Sequence, residues 1–568
     1  MAVIFVFEIL YLGTFCATGF ALFSLLKYKA RNPFLSFFMG VFVFGLLGEI
    51  FSLFIPLDVR VLLICFAPAL CGVIPMLRGL RRAAISNKLF LIYSLVFLCV
   101  WAALFAFTSS WKTWPAISYD TDLYHVQVVR WLNTYGTVPG IGNLHNRFAN
   151  GSMWLVISAM LNYWPVQGKV AWCMNPMWLT ALTAYFMSEI WSSECLMARM
   201  YALCSVFVPV YANIIWGFPN LYHDFPSLSI LLVIGSEMIY FLYGVRNNDA
   251  KDGLILCTCV SLSFLIKPLS VVSTIIIPSL VVYRFFDRGK MSWSRLVFVL
   301  SLSIAAACIL CVRNVIMSGY PLFPVSKFLV AVDWAMSSQS LLHYVIDVRA
   351  WARMSSSDYL EAFNKGIFFW FLPWMKHTLS GSFSILMLGP LCLGGVAWAF
   401  TWRRLSGFKD WGMFVWPVAS IVYWFWFAPD PRFGLEFFWI FFALGMAFFA
   451  RSYQGVVQQA IAKFSSMKIL VGLTFEITFC LLVLLGGSVL HHRKQSSFHM
   501  EWISTGVISP RQVKKTTITR TGSMPFTIYT PENGDQCGDA NLPCTPEVNE
   551  HLVMRKKGDL GAGFRLEE

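Results

Sequence analysis

Apolar stretches of about 20 residues, each able to cross the roughly 30 Å hydrocarbon core of a bilayer as a helix, recur along this chain and dictate its class. They fall at 2–26, 33–55, 59–77, 89–108, 169–188, 198–217, 225–244, 253–266, 268–283, 295–317, 381–401, 411–428, 433–450 and 468–490. The expected fold is an all-α polytopic membrane protein of about 14 helices. Composition agrees: 58% of the 568 residues are hydrophobic and 13% are charged, against roughly 25% charged in a soluble chain. The N-terminal MAVIFVFEILYLGTF lacks a basic leader region and a small-residue cleavage site, so it reads as the first span. The eighth and ninth stretches are short and meet at Lys267-Pro268, where proline ends a helix.

The formal charge of +14 is a topology signal rather than a nucleic-acid signature, and no nucleic-acid partner is expected. Basic residues gather in alternate loops: Lys27, Lys29 and Arg31; Arg78, Arg81, Arg82 and Lys88; then Arg199, Arg246, Lys251, Arg284, Arg288, Lys290, Arg295, Arg403, Arg404, Lys409, Arg451, Lys463 and Lys468. The positive-inside rule puts these in the cytoplasm. The expected division is 1–108, N-terminal membrane helices; 109–168, the first large outer loop; 169–317, a membrane core; 318–380, a second outer loop; 381–490, C-terminal membrane helices; and 491–568, a small extracytoplasmic domain with some β structure.

Of 15 cysteines, most lie in or beside apolar stretches and read as small buried hydrophobes. Cys537 and Cys544 alone sit in polar sequence on the outer face, where a disulfide between them is expected. There is no Walker A sequence and no His-Glu-x-x-His, so ATPase and zincin readings have no support.

The chemistry-bearing residues converge on the outer face. The first outer loop opens with SYDTDLYH and runs through Arg130, Pro139, Gly140, His145 and Arg147. Asp120, Asp122, Tyr124 and His125 crowd its start, and helical spacing over 121–134 makes Asp122 and His125 neighbours. Two carboxylates and a histidine at a membrane boundary suit a general base or a divalent cation; Asp120 as a helix N-cap is the plainer alternative. Other outer junctions supply His223 and Asp224, Lys267, Arg313 followed by Tyr320, and Asp430 with Arg432. Ionisable groups at this depth are costly, so function is the default reading. Carboxylates with Arg and Lys beside an apolar bundle suit a substrate with a phosphate head and a lipid tail.

YDTDLYH at the head of the loop, the polar return through 125–150, and the later patches RNVIMSGYPLFP and PDPRFG resemble the GT-C superfamily of polytopic glycosyltransferases. The tail segment DQCGDANLPCTP is similar to a group of bacterial membrane proteins that share this loop. Asp120-Thr121-Asp122 stands where several mannosyltransferases of the superfamily have adjacent Asp-Glu, and the Trp-Trp-Asp motif of oligosaccharyltransferase is absent.

The resemblance implies transfer of a sugar from a polyprenyl-phosphate-linked donor to a glycan, lipid or protein acceptor. The reaction would lie at the outer face of a bacterial cytoplasmic (inner) membrane. Asp122, or else Asp120, would be the base. Arg432, with Arg313 or Lys267, would hold the phosphate. Tyr124, His125, Arg130, His145, Arg147, His223, Asp224, Tyr320 and Asp430 would complete substrate binding. A divalent metal is an open question, with Asp120, Asp122, His223 and Asp224 as candidate ligands. The alternatives are a transporter or flippase of lipid-linked saccharides, and a scaffold of envelope assembly.

Overall fold

The computed structural model describes residues 1–110, 119–166, 168–215, 220–244, 249–354, 359–380, 383–465, 475, 477–482, 513–520 and 523–567. It is a helical, multi-spanning bundle with a small β-containing region at the C-terminus. Eight helices among the described residues are long and apolar enough to cross a membrane: Ala2–Leu25, Leu35–Ser52, Val59–Arg82, Asp224–Tyr243, Pro268–Asp287, Trp293–Ser318, Ile385–Arg404 and Leu435–Ser452. Ser94–Ser110 and Leu196–Ala212 are shorter apolar helices. This is fewer than the sequence suggests. Met174–Ser192 carries Asn175, Thr180, Thr183 and Glu189 as buried residues, and Asp249–Ile266 opens on Asp-Ala-Lys-Asp. Both are helices whose hydropathy is diluted by polar residues. The stretch expected at 468–490 falls largely outside the described residues.

The first helices touch backbone to backbone because glycines sit at the crossings. A Cβ at Gly19 would lie 1.9 Å from Ser36 O, one at Gly40 1.8 Å from Phe15 O, and one at Gly72 1.7 Å from Ala17 O. Small residues at such crossings are how helices gain contact where lipid offers no hydrophobic driving force. A deeper tie is ionic. Arg313 and Glu49, each almost wholly buried, pair at 3.0 Å across 264 positions of sequence.

On the face carrying the basic loops, Arg31 reaches Glu189 at 2.5 Å and Glu237 at 3.5 Å while lying 3.4 Å above the Tyr240 ring. At the other end of the bundle, here the site face, lie the described parts of the long loops. The helices Ser338–Arg353 and Ile367–Ser380 occupy the 318–380 segment. Strands Val513–Arg520 and Ser523–Pro531 form one antiparallel pair, and Leu552–Met554 and Phe564–Leu566 another. Ile528, Leu552 and Phe564 are buried in the same apolar core as the helices. The tail therefore packs onto the bundle rather than trailing from it.

Gly40→Leu is expected to lower the thermal midpoint of the detergent-solubilised protein, because overpacking costs about 1–3 kcal/mol or more where a backbone must move. Gly13→Leu in the first helix, where a Cβ meets nothing within 4 Å, is the control and is expected to leave the midpoint unchanged. Equal midpoints for the two variants would show that the first two helices do not touch at Gly40.

Candidate functional site

The acidic motif folds as one wide turn. Thr121–His125 is a π-turn closed by the Val126 amide donating to Thr121 O, and the α-helix Val126–Thr134 continues from it. π-turns are rare and gather at functional sites. The wider turn departs from the α spacing expected from the sequence over 121–134. Asp120, just ahead of the turn, makes no side-chain capping bond. Its carboxylate accepts from Arg432 at 2.9 Å and lies 3.9 Å from Arg147. Asp122 is fully buried, and its main-chain carbonyl accepts from Gly538 N at 2.7 Å. The Thr121 hydroxyl accepts from Leu221 N at 3.0 Å, drawing the 220–223 loop against the turn.

Arg432 is held from both sides. Asp430 caps the short turn Pro431–Phe433 by accepting from Arg432 N at 2.8 Å, and pairs with its guanidinium at 3.2 Å. The Trp424 indole donates to Asp430 O at 2.7 Å and fixes that turn. Lys267 pairs with Asp224 and stands 4.4 Å above the Phe433 ring. Burial works to raise the Asp120 carboxyl, but Arg432 and Arg147, helped by Lys267, outweigh it and hold it well below the usual carboxylate range. His125 and His223 lie edge to face, centroids 4.9 Å apart, both 1% exposed. Burial lowers both imidazoles well below their ordinary value; His223 adds to the effect on His125, and Lys267 to that on His223. Both are therefore neutral, and none of their ring nitrogens has a hydrogen-bond partner among the described residues.

Asp120, Arg147, Asp430 and Arg432 line a cavity of about 870 Å³. Its other walls include Asp347, Trp351 and Arg353 from Ser338–Arg353, Trp374 and His377 from Ile367–Ser380, Tyr359 from the turn between these helices, and Asp535 from the tail. Tyr124, His125, His223, Asp224 and Lys267 sit in contact behind this wall, with Tyr124 4.2 Å from His125 and 5.8 Å from Arg147. Asp122, Arg130, His145, Arg313 and Tyr320 are not among the lining residues. Arg130 donates to Asp539 O. His145 accepts from Arg147 N at 3.1 Å and so orients Arg147; burial, with Arg147 adding, takes its imidazole down to about 3. Arg313 is committed to Glu49. The Tyr320 hydroxyl donates to Met336 O at 3.1 Å in a small apolar cluster.

The candidate metal ligands do not converge. Among the described residues no group of three or more His, Cys, Asp or Glu side chains is placed to hold a metal ion, and Asp120 and Asp224 face cations instead.

The tail closes one side of the site. A disulfide joins Cys537 to Cys544. Its loop offers Gly538 O and Ala540 O to the Gln127 amide at 3.0 and 2.9 Å, and Gln536 donates to Tyr119 O at 3.1 Å. Farther along, Phe564 N donates to Pro139 O at 3.0 Å. Sequence reasoning missed Trp351, Arg353, Tyr359, Trp374, His377 and Asp535. The available signal for the first two was Ser337, which caps Ser340 N at 3.1 Å, ahead of an amphipathic helix.

A family model described as a domain of unknown function, DUF8201, matches residues 1–439, and the chain belongs to that family. The match takes in Asp120, Arg147 and Arg432 and stops before the tail. No curated protein and no solved structure matches the chain.

Two outcomes follow from this geometry. Cys537→Ser with Cys544→Ser is expected to cost about 2–3 kcal/mol through loop-closure entropy and to make the 532–567 segment sensitive to protease; an unchanged digestion pattern would show that the hydrogen bonds suffice alone. The second concerns pH. His125 and His223 bind no proton when folded but do so near pH 6.5 when unfolded, so their stabilisation is complete above that value and is lost as pH falls below it. Thermal midpoints measured between about pH 7.5 and 5 are expected to fall, by at most about 1.4 kcal/mol per pH unit for each imidazole. Asp120 contributes in the other window, below its unfolded value near 4. His223→Phe is expected to flatten the decline between about pH 7.5 and 5, and an unaltered slope would mean that the folded imidazole already titrates.

Proposed function

We propose that this DUF8201 protein is a glycosyltransferase of the GT-C kind. It moves a sugar from a polyprenyl-phosphate-linked donor to an envelope glycan, lipid or protein acceptor at the extracytoplasmic face of a bacterial cytoplasmic membrane. The observation that carries this reading is a carboxylate held ionised by two guanidiniums in the wall of a cavity that also offers Trp351, Tyr359 and Trp374. Charged groups orient hydroxyls and phosphates, and aromatic faces pack against sugar rings, so the lining matches both halves of such a substrate.

In this mechanism Asp120, the acid that reaches the cavity, takes the base role in preference to Asp122. It accepts the proton of the acceptor hydroxyl as that oxygen bonds to the anomeric carbon, while the carbon–oxygen bond to phosphate breaks and its electron pair leaves with the phosphate. At rest, Arg432 and Arg147 make Asp120 a weak base. An anionic donor bound elsewhere in the same cavity weakens their hold through its own charge and returns basicity to the carboxylate at the moment it is needed. His145, bonded to the Arg147 amide, and Asp430, bonded to Arg432, keep the two guanidiniums in place.

Three of the buried acids favour an enzyme over a carrier, although Glu436 is buried with neither carboxylate oxygen hydrogen-bonded among the described residues. Glu8 accepts from Thr180 at 2.9 Å, Glu49 is bound to Arg313, and Glu237 accepts from Tyr185 at 2.7 Å. Each has a local structural partner.

Asp120→Asn is expected to lower sugar transfer by on the order of 10²–10⁴ while the protein still inserts and elutes as the wild type does. Transfer from a polyprenyl-phosphate sugar is measured in membranes with a radiolabelled sugar. Wild-type turnover by the variant would remove Asp120 from the base role.

A further inference from the structure

The cations expected to hold a phosphate are already engaged: Arg432 by Asp120 and Asp430, Lys267 by Asp224, and Arg313 by Glu49. Two others are not. Arg353 lines the cavity from the end of the helix Ser338–Arg353. Arg349 lies four positions earlier, on the same helical face. Among the described residues neither is in an ion pair, and the Nε of each is buried without a hydrogen-bond partner.

Their known contacts are apolar or neutral. Arg353 lies 5.1 Å over the Trp370 ring and donates to Ala362 O at 3.3 Å. Arg349 lies 5.7 Å over Phe363 and 5.4 Å over Phe427. Like charges one turn apart repel, and each is further penalised by partial burial unless an anion bridges them. The neighbouring helix Ile367–Ser380 exposes Phe368 at 94% and Leu372 at 62%, so apolar surface adjoins the charges.

We infer that Arg349 and Arg353 form a phosphate-binding site at the cavity mouth. It takes a phosphate ester whose uncharged remainder extends toward the Asp120 wall on one side and apolar surface on the other. Guanidinium forks match phosphate oxygens in pairs. The inference rests on the glycosyl-transfer reading only for the nature of the carrier; the charges and the cavity stand without it.

The test is binding, not turnover. Wild type, Arg349→Gln, Arg353→Gln and the double variant, as full-length protein in detergent, are titrated with farnesyl phosphate and with farnesol, followed by tryptophan fluorescence. Farnesyl phosphate is expected to bind wild type, with affinity falling about tenfold for each substitution. Farnesol is expected to bind weakly and equally to all four.

Competition by inorganic phosphate would assign the site to the phosphate group from either source, and its absence would assign it to lipid-borne phosphate. Arg353→Lys keeps the charge without the fork and is expected to fall between wild type and Arg353→Gln, an ordering that a folding defect would not produce. Equal affinity of the double variant and wild type for farnesyl phosphate overturns the proposal, as does equal binding of farnesyl phosphate and farnesol to wild type. Absence of sugar transfer beside intact phosphate binding would sink the glycosyl-transfer reading and leave this one standing. The reverse pattern would sink this one alone.

Discussion

A carboxylate withdrawn from water costs several kcal/mol unless cations stand beside it, and the site is organised around that constraint. Asp120 is compensated by Arg432, which lies 312 residues later in the chain, and by Arg147 from its own loop. To bring Arg432 there, the turn at 430–433 must be capped by Asp430 and pinned by Trp424. To keep Arg147 there, His145 must accept its amide hydrogen. One charge thus dictates the conformation of two loops and the packing of the helices that carry them. The neutral pair His125 and His223 fits the same scheme, since added positive charge behind this wall would compete with Arg432 for Asp120.

The same charge logic operates at the other end of the bundle, with a different purpose. Arg31 belongs to a loop whose basic residues mark sidedness in the sequence, yet it is also satisfied by Glu189 and Glu237 and stacked on Tyr240. Tyr243 and Arg451 likewise share Asp410 at 2.6 and 3.2 Å. Basic residues that read in the sequence as topology signals also lock helices together in the fold.

Much of this was legible in the sequence because charges are conspicuous in apolar surroundings. Asp120, Arg147, Asp430 and Arg432 stand out for that reason, and the cavity contains all four. The choice between Asp120 and Asp122 was not legible, since two acids two positions apart face opposite sides of a helical turn and nothing local says which side holds the cavity. Nor was the fate of Arg313: its partner Glu49 lies in a helix far away in sequence, and nothing local distinguishes a cation bound for a buried pair from one bound for a ligand. The helices at 338–353 and 367–380 were passed over because their aromatic and basic residues resemble an ordinary membrane-surface loop until the fold turns them toward Asp120.

The docked tail has a consequence for the order in which the molecule is completed. The acidic turn is among the early parts of the chain to emerge during synthesis, but Gln127, Tyr119 and Asp122 wait for partners at 536–540, and Pro139 waits for Phe564. Roughly 400 residues must be threaded and arranged in between, so the wall containing Asp535 can be sealed only after the 535–545 loop has reached the site. A nascent or prematurely ended chain would carry every residue of the Asp120–Arg432 pair and still leave the cavity open along one edge. Closing the cavity therefore waits on the tail segment at 535–545.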